Sequence, residues 1–120
     1  LSIYKRISLV KNSDELSSLI IELRDRFGII PKQLKNLFSL IEIKILCIEY
    51  NVEQFEFSRK GIVIGFYKNN PHNPQKLLDL SINRYNEFTL RPDQKIFYDF
   101  KGQLNMGRFE LSKKILEQIK

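Results

Sequence analysis

Few side chains in this sequence are of types that do covalent or metal chemistry, and their spacing argues against it. His72 is the only histidine. No Cys, Asp or Glu accompanies it at ligand spacing, so it reads as a loop residue near a helix N-terminus. Cys47 is the only cysteine and lies on an apolar helical segment without a neighbouring histidine. It is expected to be buried and inert rather than nucleophilic. Asp93 and Asp99 are separated by a turn and a strand and do not form an acid–base pair. Gly61 and Gly65 flank a strand but lack the Gly-Lys-Ser/Thr ending of a phosphate loop. The expectation is a non-catalytic chain with no cofactor-binding or metal site.

Two patterns point to binding instead. Phe55, Phe57, Phe66 and Tyr67 are aromatics of the kind that stack bases on a sheet. However, Ile62, Val63 and Ile64 make the same hairpin apolar on both sides, which favours core. The second pattern opposes the overall charge. At about 100° per residue, Asp14, Glu15, Ser18, Glu22 and Asp25 share one side of a helix, with Leu16, Ile20, Leu23 and Phe27 on the other. On the residues alone, a solvated helix face explains this acidic stripe. The functional alternative is a docking face for an arginine-bearing surface, where charge complementarity sets register and orientation.

These residues need elements to position them. Residues 2–10 continue a helix carrying Ile3 and Ile7. Asn12 caps the next helix, with Glu15 at the reciprocal capping position and Asp14 beside it near the positive end of the dipole. Leu16, Leu19, Ile20, Leu23 and Phe27 form its buried face. Gly28 is expected at positive φ as the stop signal, and Pro31 opens the following helix. That third helix runs from about Pro31 to Tyr50. Leu34, Leu37, Phe38, Ile41, Ile45 and Ile48 form one apolar stripe, and Leu40, Ile43, Cys47 and Tyr50 a second. A helix apolar on two faces is expected between layers.

Then the period changes. Val52 to Ser58 and Ile62 to Tyr67 read as strands joined at Arg59-Lys60-Gly61. After a polar loop, Asn73 and Pro74 read as N-cap and first residue of a helix whose face is Leu77, Leu78 and Ile82. Glu87 to Leu90 and Lys95 to Phe100 form a second hairpin around Arg91-Pro92-Asp93-Gln94. Lys101 to Gly107 is loop, and Leu111, Ile115, Leu116 and Ile119 mark a final helix. The order ααα-ββ-α-ββ-α predicts an α+β fold with two β-hairpins in an antiparallel sheet.

The totals set bounds on this picture. At 120 residues the chain reads as a single domain, 1–120. Its 42% apolar content with nine Phe supports a packed core rather than disorder. No apolar run approaches the roughly 20 residues of a membrane helix, and no signal peptide is expected. One cysteine rules out an internal disulfide and fits a reducing, cytoplasmic setting. The first residue is Leu1, and Ile3 and Ile7 already have helical spacing, so the sequence is expected to start inside a helix of a longer protein. The net charge is +6 with a pI near 9.5, which suggests a basic nucleic-acid-binding module. Against that, the lysines are scattered, and abundant Ile, Lys and Asn are what A+T-rich coding DNA produces.

The wording of the N-terminal third is more specific. Tyr4-Lys5-Arg6-Ile7-Ser8, then about a dozen residues, then Glu22-Leu23-x-Asp25-Arg26-Phe27-Gly28-x-x-Pro31, with Asn36-Leu37 following, resembles the C-terminal domain of bacterial transcription-repair coupling factor (Mfd). A weaker echo continues through Gly61-Ile62, Lys68-Asn69, His72-Asn73-Pro74 and Arg84-Tyr85. The resemblance implies a parent that is an ATP-dependent DNA translocase, displacing stalled RNA polymerase from duplex DNA and recruiting nucleotide excision repair. It implies that this domain is regulatory and packs on the parent's N-terminal repair module. There it would mask the surface that binds the damage-recognition ATPase UvrA. Glu22 and Asp25, with Arg26 flanking them, are the docking residues this implies, and Glu22 and Asp25 are expected at the surface.

Overall fold

A computed structural model describes residues 2–102 and 105–120. Helix α1 is Ile3–Ser8, α2 is Ser13–Phe27 and α3 is Lys32–Glu49. Strands β1 (Val52–Phe57) and β2 (Gly61–Phe66) follow, then α4 (Pro74–Asn83), β3 (Phe88–Leu90), β4 (Ile96–Asp99) and α5 (Arg108–Ile119). The order is the α+β order read from the sequence. The loop read at Lys101 to Gly107 includes residues 103 and 104, which lie outside the described residues.

The chain divides into two compact units, Leu1–Ile45 and Leu46–Lys120, and α3 runs from the first into the second. In the first unit, α2 begins where Asn12 accepts a hydrogen bond from the Glu15 amide at 2.9 Å. The Glu15 carboxylate reaches back past the cap to the Lys11 amide at 2.7 Å. Two otherwise orphaned donors are thereby satisfied, and Asp14 and Glu15 sit at the positive end of the helix dipole. Leu16, Leu19 and Leu23 are buried with Ile7, Ile30, Phe38 and Ile45. Burial of each such side chain stabilises the fold by about 1.5–3 kcal/mol relative to exposure.

Helix α2 ends at Gly28, with φ +77° and ψ −125°. The positive φ is as expected, but the ψ lies well outside the left-handed helical basin, in territory that essentially only glycine visits. The turn changes which residue completes the core. Phe27 is not part of the buried face: it is 61% exposed, with the Arg26 guanidinium 5.4 Å from its ring centre. Ile30, on the far side of the turn, is buried in its place. The two stripes of α3 are also uneven. Phe38, Ile43, Ile45 and Tyr50 are buried and Cys47 is half-buried, but Leu40 and Ile48 face solvent.

In the second unit the four strands form one antiparallel sheet in the order β1-β2-β4-β3. Ile62, Ile64 and Phe66 alternate along β2, and Ile62 and Ile64 are level with Tyr98 and Ile96 of β4. Gly61 opens β2 for a reason the hairpin pattern conceals. A Cβ there would lie 1.8 Å from the Tyr98 carbonyl oxygen, so only glycine lets β4 approach this closely. Asn73 caps α4 by accepting from the Lys76 amide at 3.2 Å, and Pro74 supplies the first turn. Helix α4 packs on β3 along a narrow stripe, so Leu77 and Leu80 are its buried residues. Leu78 and Ile82, expected on that face, are exposed. Leu111, Ile115, Leu116 and Ile119 of α5 are all buried.

Candidate docking surface

The acidic stripe is a structural feature of the first unit. Asp14, Glu15, Ser18 and Glu22 of α2 line one wall of an open groove of about 410 Å³. Its floor and far wall are Leu19, Arg6, Leu9 and Val10. Asp25, one turn beyond Glu22, is exposed and lies outside the groove lining. The stripe is therefore continuous along the helix, but the groove collects only its N-terminal part.

The three expected docking residues have different surroundings. The Glu22 side chain keeps 42% of its surface exposed and accepts a hydrogen bond from the Arg6 guanidinium of α1. That bond holds the Glu22 carboxyl below the usual carboxylate range, with the Arg6 and Arg26 charges acting in the same direction and desolvation opposing them. Asp25 makes no ion pair among the described residues. Arg26 is exposed and lies over the Phe27 ring. Arg6 was not singled out by the sequence pattern, because sixteen residues separate it from Glu22 and no local periodicity links them.

The same end of α2 carries uncovered apolar side chains. Ile21 is 59% exposed and Ile29, just past the turn, 91%. Phe27 is exposed too, on the side of the helix away from Glu22 and Asp25. Exposed apolar side chains gathered at one end of a helix are a feature of protein–protein contacts.

The other chemistry-bearing residues have structural duties. Asp93 accepts from the Arg91 guanidinium at 2.7 Å and from the Lys95 amide at 3.2 Å, closing the β3–β4 turn. Asp99 accepts from the Lys101 amide at 2.7 Å. The His72 ring lies 5.5 Å from that of Tyr50. Burial pushes the Cys47 thiol up to about 11. Among the described residues, no group of three His, Cys, Asp or Glu could hold a metal ion. No helix among them is long and apolar enough to cross a membrane.

The aromatics do not form an open stacking platform. Phe66 is buried, and Phe57 is packed between Phe55, Phe100 and the Arg108 guanidinium. Tyr67 is exposed, with the Lys68 ammonium over its ring. Nothing in this arrangement favours nucleic acid over a protein partner.

Comparison with known proteins bears on both fold and family. The family model for the TRCF domain matches residues 1–77. The chain is 35% identical over 98 residues to a transcription-repair-coupling factor of Rickettsia conorii, an alignment covering 82% of this chain and 9% of the relative. It is 38% identical over 80 residues to that of Haemophilus influenzae, covering 67% and 7%, and 35% identical over 80 residues to that of Escherichia coli, with the same coverage. The chain thus spans less than a tenth of the curated relatives it matches. A crystal structure of the C-terminal domain of transcription-repair coupling factor has the same fold. Its TM-score is 0.72 at 21% identity, covering 98% of this chain and 74% of that one.

Proposed function

The chain belongs to the TRCF domain family, and on that premise we propose that it is a non-catalytic regulatory domain docking on its parent's N-terminal repair module. Docked there, it masks that module's surface for UvrA. The translocase motor, and the engagement of stalled RNA polymerase and duplex DNA, belong to the rest of the parent. The domain acts as an autoinhibitory clamp, released when the parent engages its target.

The observation that carries this reading is the C-terminal half of α2. Glu22 and Asp25 stand three residues apart on one helical face, in the segment with the most specific family wording. Ile21, Phe27 and Ile29 at the same end of the helix are exposed as well. A conformational lock has to be moderate. Differential contacts of a few kcal/mol shift a two-state population by orders of magnitude and remain reversible. A largely polar contact guided by exposed charges suits such a lock better than a large greasy interface.

The test is a titration of this chain against its parent's N-terminal repair module at low and high salt. The expected result is saturable association that weakens several-fold as salt rises, because exposed charges are screened. Absence of association at low salt, with both partners folded, would remove the docking reading.

A further inference from the structure

Arg6 engages the carboxylate that the docking reading needs. It reaches Glu22 from α1 across the groove mouth, through one guanidinium nitrogen and one carboxylate oxygen. The pair is not sealed in the core: the side chains keep 35% and 42% of their surface. A carboxylate has about four acceptor positions, so Glu22 can still receive a second donor. That donor, if cationic, meets the Arg6 charge at close quarters. Asp25, one turn on, makes no ion pair among the described residues.

We propose that Arg6 is an internal competitor for Glu22, holding in the undocked chain the acceptor that a cationic side chain of the partner surface takes on docking. This inference rests on the docking reading and adds a regulation to it. The exchange replaces one exposed ion pair by another. It therefore costs little in either direction and keeps the clamp reversible. Without Arg6, Glu22 carries its full charge toward the partner and the clamp closes more tightly. The competing explanations differ in sign. If Arg6 only orients Glu22, or only staples α1 to α2, its removal loosens the clamp.

The experiment uses the full-length parent and reads capture of UvrA as the measure of the open state, over a sodium chloride series. Arg6→Gln is expected to lower capture about two- to fivefold, the range that an exposed ion pair supports, and to move the opening midpoint to higher salt. Arg6→Met, which keeps the aliphatic stem, should do the same, so that lost packing is not mistaken for lost charge. Glu22→Gln should raise capture, and Arg6→Gln in the Glu22→Gln background should add nothing. Unchanged or increased capture in both Arg6 variants, with Glu22→Gln opening the clamp, overturns the competitor while leaving the docking reading intact. Glu22→Gln and Asp25→Asn both leaving capture at its starting level would overturn both.

Discussion

Replacing Gly28 by valine isolates the cost of a backbone conformation. An added Cβ at Gly28 meets nothing within 4 Å, so no clash contributes. What remains is a residue held at φ +77° and ψ −125°. A non-glycine residue in such a region costs on the order of 1–3 kcal/mol, with a β-branched one at the upper end. Loss of unfolded-state freedom offsets about 0.4–1 kcal/mol of that. The net expectation is destabilisation by about 2 kcal/mol. For a chain of this size that corresponds to a melting temperature lower by roughly 6–10 °C. Urea denaturation followed by circular dichroism measures it, with the slope checked for constancy so that the midpoint reports stability. A midpoint within error of the parent sequence would refute the reasoning. It would mean that the turn relaxes to another conformation and that Gly28 does not set the α2–α3 corner.

The remaining predictions use the same measurements. Gly61→Ala places a Cβ against the Tyr98 carbonyl, which must then move; a loss of about 1–3 kcal/mol is expected, and an unchanged midpoint would show that β2 and β4 do not approach as described. Cys47, expected to be buried, is only half-buried; its raised thiol pKa should still make it label slowly with thiol reagents at neutral pH, and rapid native-state labelling would contradict that. Its folded thiol titrates higher than in the unfolded chain, from 9.0 to about 11. The stability from keeping it protonated is thus complete below pH 9 and lost as pH rises toward 11. A stability profile flat across that window would place the thiol in solvent.

Local signals carried most of the fold. The Asn12 and Asn73 caps, the Gly28 stop and the apolar spacing of α5 each depend on residues within a turn or two of one another. The errors fell where neighbours distant in sequence decide the outcome. Phe27 has the right spacing for the core, yet the turn after Gly28 substitutes Ile30 for it. Leu78 and Ile82 suit a helix face, yet β3 touches a different stripe. Gly61 reads as a hairpin glycine until β4 is placed against it. The candidate surface was half legible: the acidic stripe is a matter of helical period, whereas Arg6 joins it only through its ion pair from α1 to Glu22 of α2.

The most direct test of the docking account neutralises the acidic face in the full-length parent. Lysine at 22 would face Arg6, so Glu22→Gln with Asp25→Lys is the better variant. Exposed charges contribute little to folding, so the melting temperature should stay close to that of the unmodified protein. Capture of UvrA should rise from the locked level toward that of a parent lacking this domain. Capture unchanged from the locked level, in a protein that melts normally, would show that the acidic face is merely solvated and that the clamp is held elsewhere.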